Sequence, residues 1–359
     1  MTTMTRWIDA AIGETREALV QDGAAIALRL HRWSDAGRHA RWGEVYAARV
    51  TRVDRRRRGA FLDLGLRGAD AFLPLDSGGQ ARRGAARIAL GEGLAVMVRI
   101  VREAARGKSA VAALVDAPHP GPLGRVTRPE VDEAVDGARP ADPETRARLD
   151  AAFEDALSRL APIPGGGMLI IEPTAALVSI DVDSGARAGA PDPERFALEL
   201  NLAALREAAR QIRLRALGGV IAIDFVSMRH RASQSALDLA ARDAFGADPW
   251  GVQLARLSRF GVLEASRGQL HTPLHECLRE PDGRPTPETV ALQMFRAIER
   301  EARAAGGRRI AAAVAPEVKA WLDLAEIPWR TALDDRIGPR WTIEAAAGAP
   351  RERIDVRAL

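Results

Sequence analysis

The sequence predicts an α+β protein of several domains, and three features predict it. Short alternating apolar runs crowd residues 43–115; two apolar runs ending in aspartate flank one long amphipathic pattern; helix and strand patterns alternate beyond residue 287. With 359 residues, 47% of them hydrophobic and 28% charged, the chain has the balance of a folded soluble protein. The expected segments are a strand-rich stretch over 1–36, a barrel over 37–115, a connector and helix over 116–165, an α/β subdomain over 166–272, a link over 273–286 and a small α+β domain over 287–359.

The barrel rests on the runs EVYAARVTRV, GAFLDLGL, ADAFLPL, LAVMVRIVRE and KSAVAALV, split by Gly and Arg turns. Five such runs read as a small antiparallel barrel of OB type, an architecture that offers aromatics and a basic groove to single-stranded nucleic acid. Phe61 and Phe72 lie in these runs, and Lys108 opens the last one. Without a family comparison, both Phe read as barrel core.

After a Pro- and Gly-rich connector, a helix is expected from Pro143 to Leu160. GGGMLIIEPTAALVSIDVDSG supplies one or two buried strands. PDPERFALELNLAALREAARQIRLRALGG is an amphipathic helix with Asp192 as its cap and Gly218 at its C′ position, and VIAIDF is a second strand. Strand, helix and strand make a right-handed βαβ unit whose parallel strands end at one sheet edge. Asp181 and Asp224 therefore emerge together, and two adjacent carboxylates repel unless they share a cation such as Mg²⁺. Asp183, two residues beyond Asp181, faces the same way and would ligate or orient that metal's water. A single strand-end Asp more often closes a turn; a matched pair points to a metal.

SMRHRASQSALDLAARDAF reads as a helix, and GVQLARLSRFGVLEASR as a strand and turn whose Arg256, Arg259 and Arg267 suit phosphate or, alternatively, form a solvated face with Glu264. His230, His271 and His275 fall in turns and read as solvated rather than as bases. The tail reads as a helix, a strand, a short helix and a final strand pair, with no chemical constellation. A net charge of +4 is small, but a pI near 10 and local Arg clusters admit a polyanionic partner. The lone Cys277 makes neither an internal disulfide nor, by itself, a zinc site. Charges interrupt Met1–Val20, and no eighteen apolar residues run together, so a cytoplasmic protein without a membrane partner is expected.

At IEPTAALVSIDVDSGAR, RQIRLRALGGVIAIDF and LSRFGVLEASR the chain resembles the catalytic core of ribonucleases E and G, with the three motifs in the family's order. RWGEVYAARVTRVDRRRRGAFLDLGLRGADAFLPL resembles the family's S1 barrel, and the last segment resembles its small domain. The resemblance implies an S1/OB-type β-barrel joined to an α/β DNase I-like catalytic subdomain and a small C-terminal α+β domain. It implies Asp181 and Asp224 as catalytic magnesium ligands, with manganese as a substitute, and Asp183 at a position where the family has an asparagine. It reassigns Phe61 and Phe72 to holding an RNA base, with Lys108 and Arg259 steadying the backbone charge. The implied function is a magnesium-dependent endoribonuclease that cuts single-stranded RNA to 5′-phosphate and 3′-hydroxyl ends, in rRNA processing or mRNA turnover. The alternatives are a catalytically decayed S1-type RNA-binding protein and a DNA nuclease.

Two departures stand out. Residues 116–150 are too few for the family's RNase H-like section with its 5′-end sensor, so cleavage is expected to be indifferent to a 5′ phosphate. HECLREPDG keeps Cys277 but has Glu280 where the family's zinc-link CxxC has its second cysteine. That argues against zinc and against a zinc-linked tetramer, and leaves a homodimer open.

Overall fold

Tight turns set the first sheet. Asp22 and Gly23 both have positive φ, 49° and 82°, the hairpin turn whose twist matches that of the strands it joins. With the turn at Gly13 it folds β1 (Met4–Ala11), β2 (Glu14–Gln21) and β3 (Ala24–Arg32) into a meander. The computed structural model describes residues 4–83, 86–105, 107–119, 121–127, 140–185, 192–246 and 248–359.

The barrel strands are β4 (Val45–Asp54), β5 (Gly59–Asp63), β6 (Asp70–Pro74), β9 (Ala95–Arg102) and β10 (Ala110–Leu114). They close in the order β4-β5-β6-β10-β9 and back to β4. The expected barrel was wholly antiparallel; β6 and β10 instead run parallel, with Val111 beside Phe72. An odd number of strands cannot close on itself with every neighbour antiparallel, so one parallel pair is obligatory. Between β6 and β9 lies a hairpin of β7 (Gln80–Arg83) and β8 (Ala86–Ala89). Part of the expected connector is a strand, β11 (Gly124–Thr127), which pairs with β4 and places the Arg125 guanidinium 2.8 Å from Glu44. Tyr46, Leu62, Leu64, Val98 and Ile100 fill the barrel. The rest of the connector, residues 128–139, lies outside the described residues.

The second sheet has the order β12-β13-β14-β15-β17-β16. Its strands are β12 (Leu160–Pro162), β13 (Met168–Pro173), β14 (Val178–Asp183), β15 (Gly219–Asp224), β16 (Val252–Leu254) and β17 (Val262–Arg267). Helix α1 (Pro143–Leu157) stops short of the expected Leu160 because Leu160 pairs with Ile170 as a strand. Helix α2 (Pro193–Leu214) is capped as expected by Asp192, which accepts the Arg195 N–H at 3.0 Å. Its exit differs from the expectation: Ala216, not Gly218, takes the left-handed conformation, at φ 56°. Gly218 is small for a different reason, since a Cβ there would lie 2.8 Å from the Gly268 carbonyl and Gln269. Helices α2 and α3 (Arg231–Gly246) cover one face of the sheet, where Ile171, Ile180, Ile221 and Ile223 pack with Leu205, Ile212, Leu237 and Phe245.

The remaining chain forms α4 (Leu274–Leu278), α5 (Pro287–Ala304), β18 (Ile310–Val314), α6 (Pro316–Leu324), α7 (Trp329–Ile337), β19 (Trp341–Ala345) and β20 (Ile354–Ala358). Strand β18 sits between β19 and β20. Helix α7 is absent from the sequence reading; its Trp329 is buried against Phe295 at 5.3 Å between ring centroids. The N-terminal sheet is tied to this region by charge. Fully buried Asp9 takes Arg296 of α5 at 2.5 Å, Arg146 of α1 at 3.1 Å and the Ala141 N–H at 2.9 Å. Burial alone would raise its pKa, yet these partners, Arg296 foremost, hold it at about 2.

Glu103 makes the join between barrel and second sheet. Its carboxylate takes the Trp42 N–H at 3.0 Å, the Thr272 N–H at 2.8 Å and His271 Nδ1 at 2.9 Å. His271, expected in solvent, is therefore a structural partner, and its ring also packs between Trp42 and Trp250. Among the described residues no helix is long and apolar enough to cross a membrane.

Candidate active site

Alternation along β14 and β15 decides which side chains reach solvent. Val178, Ile180 and Val182 point into the core, as do Ile221 and Ile223, so Asp181, Asp183 and Asp224 are left on the open face. Strands β14 and β15 are the parallel pair of this sheet, and Asp181 and Asp224 are register partners. Their backbones stand about 4.8 Å apart, with both side chains on one side. Among the described residues neither carboxylate has an ion pair or a side-chain hydrogen bond. Asp183 lies on the same face, but one of its oxygens accepts the Gly185 N–H at 2.9 Å and so also closes the turn. Among the described residues no three His, Cys, Asp or Glu side chains converge as a metal cluster, so the centre is a pair with Asp183 beside it.

The segment following Asp224 is fixed from α2. Buried Asn201 donates to the Val226 carbonyl at 2.8 Å and accepts the Val226 N–H at 3.0 Å. Glu194 accepts the N–H groups of Arg229 and His230 at 2.8 and 3.0 Å, bonds that draw its pKa down to about 2. Sequence reasoning missed both residues. An amide on the buried face of an otherwise apolar helix was the available signal for Asn201.

Asp224 pairs across the next ladder with Val262, which begins β17. The β16–β17 turn therefore sits at the same edge and brings exposed Arg259 beside the carboxylates' strand ends. Arg267, also a phosphate candidate in the sequence, is not available: it is buried, bonded to Asp248 at 2.9 Å and to the Leu217 carbonyl, and lies over the Trp250 ring. Phe260, unremarked in the sequence, is 73% exposed in this turn.

A second group lies on the barrel. Phe61 and Phe72 are cross-strand partners whose side chains point away from the barrel core, half-buried, with ring centroids 5.5 Å apart at 68°. Arg52 covers the Phe61 ring at 4.5 Å. Gly59 makes room for Phe72: any Cβ there would meet its ring at about 1.9 Å. Lys108 is exposed in the β9–β10 hairpin, three residues before Val111, the partner of Phe72.

At the link, Glu280 is engaged by Arg351 at 2.6 Å, which also binds Glu317. Burial, reinforced by Glu103, pushes the Cys277 thiol up to about 12.

Fold and site together define a closed barrel bearing outward aromatics, joined to a sheet with an in-register pair of aspartates at its edge. Residues 125–270 match the model of the ribonuclease E/G family. Ribonuclease E of Haemophilus influenzae is 35% identical over 182 residues, 49% of this chain and 20% of that protein. Ribonuclease E of Escherichia coli is 36% identical over 183 residues, again 49% of this chain and 17% of that protein. A chloroplastic ribonuclease E/G-like protein of Arabidopsis thaliana is 36% identical over 135 residues, 37% of this chain and 14% of its own length. Residues 125–270 are thus similar to the ribonuclease E/G family, and the chain spans a fifth or less of the length of these relatives.

Proposed function

We propose that this chain is a magnesium-dependent endoribonuclease that cuts single-stranded RNA to 5′-phosphate and 3′-hydroxyl ends, acting in rRNA processing or mRNA turnover. The observation that carries this reading is the Asp181–Asp224 pair, in register and without a cationic partner among the described residues, within the segment that matches the family. The donor set fits magnesium, which takes one or two carboxylates and fills its remaining positions with water and phosphate oxygens. When bound, the ion supplies a water of lowered pKa and charge neutralisation at the phosphate.

The chain's own residues do the rest. Asp181 and Asp224 hold the ion, while Asn201 and Glu194 keep the segment after Asp224 in place. Phe61 and Phe72, on a barrel of S1 type, stack an RNA base, and Lys108 and Arg259 balance the backbone charge. The sheet with its aspartate edge serves as the DNase I-like part. Zinc has no role in this reading, because Glu280 is held by Arg351. A second reading, RNA binding without catalysis, draws on Asp183, a carboxylate where the family has an asparagine.

The test is an end-labelled single-stranded RNA incubated with and without Mg²⁺, beside Asp181→Asn and Asp224→Asn. Internal cleavage is expected only with magnesium, and each variant should lose on the order of a hundredfold or more in rate while still binding RNA. Binding without cleavage by the unaltered protein would establish the second reading. Equal cutting of a 2′-deoxy strand would make the protein a nuclease without sugar preference.

A further inference from the structure

Phe260 is a large aromatic side chain held in solvent at the edge where the two aspartates emerge. It is 73% exposed, yet its turn is built to be rigid. Ser258 Oγ accepts the N–H groups of Phe260 and Val262, both at 3.2 Å; the Ser258 N–H donates to the Val262 carbonyl at 2.9 Å, and the Gly261 N–H to the Ser258 carbonyl at 3.0 Å. The turn is also pinned to the site, because the Gly261 carbonyl accepts the N–H of Phe225, the residue after Asp224. Gly261 itself sits at φ +88°, a conformation that side chains rarely adopt. The Arg259 guanidinium lies 4.7 Å from the Phe260 ring centroid. A rigid, solvent-facing ring with a cation on it is the arrangement that stacks nucleobases without reading their identity.

Resting on the endoribonuclease reading, we propose that Phe260 with Arg259 is a nucleobase-stacking station on the catalytic sheet, separate from the Phe61–Phe72 pair on the barrel. Phe260 takes the face of an unpaired RNA base next to the phosphate held at Asp181 and Asp224, and Arg259 holds the adjoining backbone charge. Because the turn is hydrogen-bonded to the residue after Asp224, this station keeps its place relative to the aspartate pair whatever the barrel does.

The experiment compares Phe260→Ala, Phe260→Leu and Phe260→Tyr with the unaltered protein, using a set of RNAs in which one nucleotide at a time lacks its base. Phe260→Ala and Phe260→Leu should each lose about tenfold in kcat/KM, and Phe260→Tyr should be close to unaltered, because stacking needs a flat ring rather than apolar area. In the unaltered protein, one abasic position near the cleavage site should cost a similar factor, and that penalty should vanish in Phe260→Ala. An abasic penalty that persists in Phe260→Ala, or full activity in Phe260→Leu, overturns the station while leaving the nuclease reading intact. A change of oligomeric state in Phe260→Ala with unchanged RNA cleavage overturns it in favour of a protein contact. Failure of the unaltered protein to bind or cut any RNA overturns both readings.

Discussion

The buried amide of Asn201 satisfies both the N–H and the carbonyl of Val226, at 3.0 and 2.8 Å, two residues beyond Asp224. Helix α2 thereby sets where the second carboxylate of the site comes to rest. Asn201→Leu would strand both backbone groups, which costs about 1–3 kcal/mol of stability. Cleavage in that variant should fall further than the loss of folded protein explains, and Asn201→Asp should recover only part of it. A thermal melt run beside a single-turnover rate separates the two effects; parallel losses in both would leave Asn201 a purely structural residue.

Asp183 already gives one oxygen to the Gly185 N–H, a bond that an asparagine oxygen can also accept. Asp183→Asn therefore keeps the turn and removes one negative charge beside the pair. The KM for RNA should drop by about fivefold, the scale of one unit charge about 4 Å away in bulk water, and the half-saturating magnesium concentration should rise. Titrating magnesium at fixed RNA checks the second effect; an unchanged midpoint would show that Asp183 has no influence on the ion.

Glu103 gives the barrel joint a pH dependence. Its burial favours protonation, but the hydrogen bond and charge of His271 and the N–H groups of Trp42 and Thr272 outweigh that and hold its pKa below the ordinary 4.5. A depressed carboxylate contributes stability that is present above 4.5 and is lost as pH falls through the folded value. Glu103→Gln should flatten the acid limb of stability against pH and lower stability near neutrality. Melting temperatures across the acid range would reveal this, and an unaltered acid limb would count against it.

Removing Asp9 leaves Arg296 and Arg146 buried without their shared partner. Asp9→Ala should destabilise the protein by about 3–5 kcal/mol, measured by urea unfolding. A loss below about 1 kcal/mol would mean that water replaces the carboxylate there.

RNAs differing only in a 5′ monophosphate or 5′ hydroxyl should be cut at equal rates, because residues 116–150 leave no room for an end-sensing section. Parallel time courses decide it, and a clear preference for the monophosphate would require a sensor elsewhere in the chain.

Local pattern made the second sheet legible. The apolar runs ending in Asp181 and Asp224, with the capped helix between them, carry both strand direction and register, so the carboxylate pair was readable from spacing. What was not readable depends on distant partners. Arg267 looks like Arg259 in sequence, and only its burial against Asp248 separates them. The outward placement of Phe61 and Phe72 follows from barrel register, whereas their apolar character by itself reads them as core. Helix α7 begins within a Pro- and Trp-rich stretch that carries weak helical pattern, and it is held by Trp329 packing on Phe295.

The Asp9–Arg296 pair joins residues 287 positions apart. During synthesis at ~5–20 residues per second, the first meander therefore waits roughly 15–60 s before the helix that neutralises it leaves the ribosome. Until then Asp9 and Glu14 lack the Arg296 guanidinium they share, so the N-terminal sheet cannot reach its final packing as an early folding unit. The two ends of the described chain mature together, and a stalled or truncated product would carry a meander whose Asp9 and Glu14 lack the Arg296 guanidinium they share.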